Sequence, residues 1–192
     1  MKKAIILGSI FAVITIGVVF FIFLQMKDIK ENRALTLQLS PALLEQLQGK
    51  YISDFPYVPA PIDWEGKFLQ VENGVIFEEV AIPLNFTYNK KRNEKLNTAR
   101  FFPGNDINGI VWLMTGYEVV GHYTGGGPAS QPYYVLSYLD LAQEAVLARD
   151  TVWGGMPPKR TKSNSGSAVG KMPKEEEMIK AIQLRTGLNS AN

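Results

Sequence analysis

The apolar run from Ala4 to Leu24 constrains this chain more than any other feature. It contains no charged residue and no proline, and its polar side chains are the hydroxyls of Ser9 and Thr15. As a helix rising about 1.5 Å per residue, the run would be about 30 Å long, which matches the hydrocarbon core of a bilayer. It therefore predicts a transmembrane helix at residues 4–24 and makes the lipid bilayer the first expected partner.

The residues that border this run favour an uncleaved signal anchor over a cleaved signal peptide. A signal peptide ends its apolar core at a cleavage site of small residues, whereas this run ends in the bulky residues Phe20 to Leu24. Two lysines precede the run and three basic residues follow it closely, so the positive-inside rule leaves the orientation nearly balanced. The short basic tail favours an N-terminus in the cytoplasm and a domain outside, either periplasmic or extracellular.

Charge and cysteine content exclude several classes of function. The chain has 20 basic and 18 acidic residues, and Lys2 and Lys3 account for the net charge of +2. The remainder lacks the concentrated basic face that nucleic acid requires, so no nucleic-acid partner is expected. Because the chain has no cysteine, it cannot use disulfides, thiolate catalysis or cysteine-ligated zinc. We expect no cofactor and no bound metal.

Changes in composition divide the chain into six segments. The charged stretch after the anchor is either a helical continuation of the anchor or a stalk, and a Ser-, Gly- and Lys-rich stretch near the C-terminus has the composition of a linker. The predicted segments are a cytoplasmic tail at 1–3, the transmembrane anchor at 4–24, a juxtamembrane stalk at 25–39, an extracytoplasmic β-rich domain at 40–158, a flexible linker at 159–172 and a C-terminal helix at 173–187.

Apolar and aromatic runs predict about five strands in the domain. Asn73-Gly74 lies between the apolar runs 67–71 and 75–77, which is a strong signal for a hairpin. The polar stretch Asn85–Asn108 is typical of a long surface loop, with a helical turn expected at Lys91–Thr98. Further strands are expected at 110–124, 133–141 and 145–153. We therefore predict a mainly antiparallel β domain, shaped as a small barrel or sandwich, with short flanking helices; the alternative is an α+β two-layer arrangement.

Two short helices are predicted at the ends of this domain. Ser40-Pro41 is typical of an N-cap followed by proline at the first helical position, and Gly49 is typical of a helix stop. Pro173 opens the second helix, and three glutamates follow it in the first turn, where they complement the helix dipole. Met178 begins an apolar stripe on this helix, which docks either on the sheet or on a partner.

His122, the single histidine, is the first candidate for catalysis. Glu118 and Asp140 are the carboxylates that would assist it, although Glu118 and His122 would be about 13 Å apart along a strand at about 3.3 Å per residue. The chain has no serine elbow, no H-E-x-x-H motif and no EF-hand loop. A structural role for the histidine is therefore favoured. The triple glycine Gly125–Gly127 indicates a flexible hairpin connection rather than a phosphate-binding loop.

Aromatic residues in extended segments are the candidates for binding. They are Tyr57 and Trp64 in a proline-rich segment, and Tyr123, Tyr133 and Tyr134 around the triple glycine. Such side chains either cover the domain's own core or form a contact surface. The favoured function is a membrane-tethered extracytoplasmic binding or scaffolding protein without catalytic activity, whose partner is another protein or a second copy of the chain. The alternative is an envelope hydrolase or lyase that uses the histidine with a carboxylate.

Overall fold

A computed structural model describes the backbone of residues 2–73, 84–103, 106–159 and 166–188, with side chains from residue 14 onward. The chain divides into two compact units, Met1–Gln38 and Leu39–Asn192. The helices are α1 (Lys2–Thr36), α2 (Pro41–Leu47), α3 (Lys90–Lys95) and α4 (Glu175–Arg185). The strands are β1 (Phe68–Asn73), β2 (Phe86–Tyr88), β3 (Gly109–His122), β4 (Pro128–Asp140), β5 (Ala145–Trp153) and β6 (Ala168–Val169).

The first unit contains the single long helix α1. The charged stretch that follows the apolar run is helical as far as Thr36, so it continues the helix rather than forming an irregular stalk. Among the side chains that the structure describes, no helix is both long enough and apolar enough to cross a membrane. Residues 4–13 of the predicted span lie outside those described side chains.

The second unit is built on one mixed sheet of six strands, which together with its short helices gives an α+β fold. Five strands lie in the order β2-β1-β3-β4-β5, and β6 pairs with β4. The pairs β3–β4 and β4–β5 are antiparallel, whereas β1 and β3 run parallel. The predicted strand content is confirmed, and three of the five strand pairings are antiparallel, but the strands form one mixed sheet rather than a barrel or sandwich. The α+β alternative is the one that forms.

The path of the chain between β1 and β3 explains the parallel pair. After β1 the chain forms β2, which pairs antiparallel with β1, and then α3 before it returns as β3. A long connection that contains a helix allows neighbouring strands to point the same way, which a tight hairpin does not. From Gly74 onward, the predicted Asn73-Gly74 turn and the strand at 75–77 lie outside the described residues.

The stretch Asn85–Asn108 is not a surface loop, so that part of the prediction is wrong, whereas the helical turn expected at Lys91–Thr98 corresponds to α3. The stretch contains β2 and α3, and the side chains of Phe86, Tyr88 and Leu96 are buried. The ring of Phe86 packs edge-on against Trp112 of β3, with centroids 5.5 Å apart. Polar residues separate these buried side chains in the sequence, so the stretch shows no hydrophobic periodicity even though the side chains belong to the core.

The predicted helix after Ser40 is confirmed as α2. The Ser40 Oγ accepts a hydrogen bond from the Leu43 backbone N–H at 3.3 Å, and proline occupies the first turn. Gly49 has a φ of +67°, which suits glycine at a helix end. The three leucines of this helix are buried. A helix of two turns is not stable alone, so its apolar face must be held by the domain.

One face of the sheet packs against α4. The buried cluster contains Val111 and Leu113 of β3 together with Met178 and Ile182 of α4, and Trp64 joins it from the preceding segment. The apolar stripe of the C-terminal helix therefore docks on the sheet. Each such side chain contributes about 1.5–3 kcal/mol when fully buried, so α4 is part of the domain.

A buried asparagine closes the edge of β1 where β2 no longer covers it. Gln70 lies one residue before Val71, the first residue of β1 that pairs with β2. The Asn93 side chain takes the place of a strand there. Its Oδ1 accepts from the Gln70 N–H at 2.9 Å, and its Nδ2 donates to the Gln70 carbonyl at 2.7 Å. Asn93 thus fixes α3 against β1.

Candidate binding surface

The hairpin of β3 and β4 extends beyond the rest of the sheet. Among the described residues, β1 pairs with β3 as far as Leu113, and β5 pairs with β4 as far as Tyr133. From Thr115 onward, β3 changes from buried to mostly exposed. We call residues 115–134 of this hairpin the arm. The short strand β6 pairs with the arm at Ala129 and Ser130, so part of the predicted linker 159–172 belongs to the sheet.

Gly116 allows an aromatic ring to lie across the arm. It pairs with Tyr133, and a Cβ atom on Gly116 would lie 2.4 Å from Cζ of that ring. The Tyr133 ring also packs against Trp153, with centroids 5.0 Å apart. Such an aromatic pair contributes about 0.5–1.5 kcal/mol beyond its buried area. The ring pair therefore stabilises the arm where the sheet narrows.

The triple glycine forms the turn at the tip of the arm. The Tyr123 N–H donates to the Gly127 carbonyl at 2.9 Å, and Gly126 N–H donates to the Tyr123 carbonyl at 2.8 Å. Gly126 has a φ of +82°, a conformation that side chains disfavour. The Tyr123 hydroxyl donates to the Pro158 carbonyl, which connects the tip to the segment after β5. The glycines thus serve a hairpin connection.

One face of the arm is apolar and exposed. Val119 of β3 and Val169 of β6 both pair with Ser130 of β4, so their side chains lie on the same face of the sheet. Tyr117 lies two residues before Val119 and shares that face. Tyr117, Val119 and Val169 are 57%, 54% and 53% exposed, respectively. We call these three residues the distal face, because α4 covers the same side of the sheet only nearer the core.

The first two catalytic candidates, His122 and Glu118, lie on the exposed part of β3. They pair with Pro128 and Gln131 across the arm, and both side chains are exposed. No described residue forms a hydrogen bond or an ion pair with the His122 side chain. Nor do the described residues bring together three side chains able to hold a metal ion. Within the part of the chain that the structure describes, no side chain is placed to prepare this histidine for proton transfer.

Asp140, the third catalytic candidate, lies at the opposite end of the hairpin. It pairs with Gly109, so it is about 40 Å from His122 along β3 at about 3.3 Å per residue. Its Oδ2 accepts from the Trp64 Nε1–H at 3.1 Å, and its Oδ1 accepts from the Gln143 N–H at 2.9 Å. Asp140 therefore stabilises the core and the β4–β5 turn.

The aromatic candidates occupy three different environments. Trp64 is almost fully buried, and Tyr134 packs against the same core cluster. Tyr57 is half-exposed and lies under the Arg149 guanidinium, which is 5.2 Å from the ring centroid. Tyr123 and the ring of Tyr133 belong to the arm. The structure therefore brings three of the five candidates to the arm, with the Tyr134 side chain packed towards the core, and places Trp64 where a surface partner does not reach it.

A cleft of about 480 Å³ lies beside α4. Arg185 of α4 and Asp150 of β5 form an ion pair in its wall, with Nε and Oδ2 3.0 Å apart. Burial, and next the Asp150 carboxylate, raise the pKa of the neighbouring Tyr138 hydroxyl far above its ordinary value. The two charges satisfy each other in the wall of the cleft, which presents polar and apolar surface alike. Its lining residues are Ala60, Pro61, Ile62, Asp150, Thr151, Val152, Ala181, Leu184 and Arg185.

Comparisons with models of known families, with characterised proteins and with solved structures find no match to this chain. The site is therefore interpreted from its own geometry. Sequence reasoning did not single out the distal face. The alternation of Tyr117, Glu118 and Val119 places the two apolar side chains on one face of a strand, and that signal was present. Val169 joins them only through the β4–β6 pairing, which the local sequence does not show.

Proposed function

We propose that this chain is a membrane-tethered, extracytoplasmic binding or scaffolding protein that acts without catalysis, and that the distal face contacts its protein partner. The observation that carries the proposal is the distal face itself. Its three side chains are each more than half exposed, and all three stand on paired strands. Val119 and Val169 flank Ser130 of β4 on this face, and exposed apolar side chains that share one face of an ordered sheet can form a protein contact site.

The proposed tether is the apolar run at residues 4–24. It lies within α1, which continues to Thr36, and the second compact unit begins at Leu39. An inserted helix would therefore confine the domain to a thin layer beside the bilayer. Such confinement raises the effective concentration of the domain towards any partner in the same membrane.

The size of the distal face explains why a tether supports binding. Covering a valine or tyrosine side chain completely contributes about 1.5–3 kcal/mol. Because the three side chains are already almost half buried, covering the rest contributes about 2.5–5 kcal/mol in all. Association in free solution costs about 4–15 kcal/mol. The distal face alone thus supports weak binding, and confinement to the membrane reduces the cost of finding the partner.

Photo-cross-linking in intact membranes tests the contact. A benzophenone amino acid at position 117 or 119 of the full chain places the reactive group on the distal face. The same group at Glu144, an exposed residue in the β4–β5 turn, is the matched control. We expect cross-linked products from positions 117 and 119 and none from 144, with the partner identified by mass spectrometry.

The pattern of products separates the possible outcomes. Products that contain a second protein support a hetero-complex, and products that contain this chain alone support a homo-oligomer. Both agree with a contact role for the distal face. Equal products from all three positions, or none from positions 117 and 119, would contradict it.

The orientation of the tether has its own test. Because the chain contains no cysteine, Glu144→Cys introduces a single thiol at an exposed site. We expect an impermeant thiol reagent to label this variant on intact cells. Labelling that requires lysis would refute the extracytoplasmic location, and extraction of the chain from membranes by alkaline carbonate would refute the anchor.

A further inference from the structure

A basic stretch without acidic residues follows β5. Residues 151–174 contain five lysines and arginines and no aspartate or glutamate. The acidic residues at its two borders already have basic partners, since Asp150 pairs with Arg185 and Glu175 pairs with Lys95. The two carboxylates that directly adjoin the stretch are therefore occupied by other basic residues, and Glu176 and Glu177 follow Glu175 in the first turn of α4.

Two described parts of this stretch lie side by side. The Gly155 N–H donates to the Lys171 carbonyl at 2.8 Å, and the Gly170 N–H donates to the Ser130 carbonyl at 2.9 Å. A Cβ atom on Gly170 would lie 1.8 Å from the Gly155 carbonyl oxygen. The absence of a side chain there allows the two backbones to approach this closely, and brings the segments 153–159 and 168–174 together.

The side chains on these two segments are basic and apolar. Met156 is 67% exposed and Met172 is 40% exposed, and Lys159, Lys171 and Lys174 are also exposed. No described residue forms an ion pair with any of these three lysines, whereas several other basic residues of this unit pair with carboxylates. We call these two methionines and three lysines the basic strip.

We propose that the basic strip docks on the surface of a bilayer that contains anionic phospholipids. The lysines carry the charge that lipid phosphates attract, and the methionines supply apolar side chains that enter the boundary between headgroups and acyl chains. Trp153 adjoins the strip and is half-exposed, and indole rings favour that same boundary. This inference rests on the tether proposed above, which keeps the strip close to a membrane.

The test uses the full chain reconstituted into vesicles. Met156→Cys, in a chain without native cysteine, carries an environment-sensitive dye, and quenchers attached to the lipids report whether the dye touches the bilayer. The vesicles contain phosphatidylcholine with or without phosphatidylglycerol. The matched control is Leu184→Cys, an exposed apolar position on α4.

We expect strong quenching at position 156 with phosphatidylglycerol, weak quenching without it, and little quenching at position 184 in either case. High salt should reverse the quenching, because the attraction is electrostatic. Replacing Lys159, Lys171 and Lys174 together with glutamine should lower the docking equilibrium about 100-fold, or about fivefold for each lysine. The salt titration of the labelled, otherwise unchanged chain gives the same information if the triple variant fails to fold.

Three outcomes overturn the inference. Quenching that does not depend on phosphatidylglycerol or salt would exclude electrostatic docking, and quenching that appears only when an acidic protein is added would assign the strip to a protein partner. Flotation of the vesicles after an alkaline wash reports the tether separately. A chain that floats without quenching refutes the docking alone, whereas a chain that is washed off refutes the tether.

Discussion

Replacing Asn93 with alanine is expected to destabilise the domain strongly. The side chain is fully buried, and it is the hydrogen-bond partner of both backbone groups of Gln70 on the neighbouring strand. A buried donor or acceptor left without a partner costs about 1–3 kcal/mol. Losing the partner of both groups should therefore lower the free energy of unfolding by about 2–6 kcal/mol, which is a large part of the stability of a domain this size.

Urea unfolding of the fragment Leu39–Asn192 measures this loss by tryptophan fluorescence, because Trp64 and Trp112 are buried in the native state. Asn108→Ala, at an exposed asparagine, is the matched control and should change the unfolding free energy by less than about 0.5 kcal/mol. Asn93→Asp keeps the acceptor but loses the donor and buries a charge, so it should resemble the alanine variant. A loss below about 1 kcal/mol for Asn93→Ala would refute the reasoning, since water would then satisfy Gln70.

Three further results are expected from the fold and the arm. Gly116→Ala should displace the Tyr133 ring, which would lower the free energy of unfolding by about 1 kcal/mol and shift the tryptophan emission. Gly121→Ala is the control, because its Cβ would meet no atom within 4 Å. Urea unfolding and fluorescence of this control should match the parent. Burial raises the pKa of Tyr88 to about 12. The stability that protonated Tyr88 contributes is therefore complete below its unfolded-state pKa of about 10, and it is lost as the pH rises through 12. Tyr88→Phe should therefore flatten the decline of the urea midpoint at alkaline pH. An unchanged slope would contradict the raised pKa. His122→Ala should leave the unfolding free energy within about 0.5 kcal/mol of the parent. It should also restore fully the phenotype of cells that lack the wild-type chain. If a folded variant does not restore it, the hydrolase or lyase alternative is favoured.

The elements with local signals could be predicted from the sequence. Ser40-Pro41 and Gly49 mark the two ends of α2 because capping chemistry acts within one turn. The hairpin of β4 and β5 follows from two β-rich runs separated by a short turn. The stripe on α4 indicated an apolar face, although the sequence left open whether the sheet or a partner covers it. In each case the decisive contacts are close in sequence.

The parts that could not be predicted depend on contacts distant in sequence. The parallel pairing of β1 with β3 requires the chain to cross over through β2 and α3, and no local pattern encodes that return. Asn93 is polar and lies among basic residues, so its sequence environment indicates exposure, yet its amide completes the edge of β1. Likewise, Asp140 is committed to Trp64 across 76 residues of sequence, which removes it from any site with His122.

The arm connects the two proposed contacts. An isolated two-stranded ribbon is only marginally stable in water, and this arm gains support from β6 and from the Tyr123 hydroxyl at Pro158. The same segments carry the basic strip, and Val169 of the distal face lies two residues before Lys171. Docking of the strip on lipid would therefore hold the distal face close to the bilayer surface. A partner attached to the same membrane would then meet the distal face at a raised effective concentration.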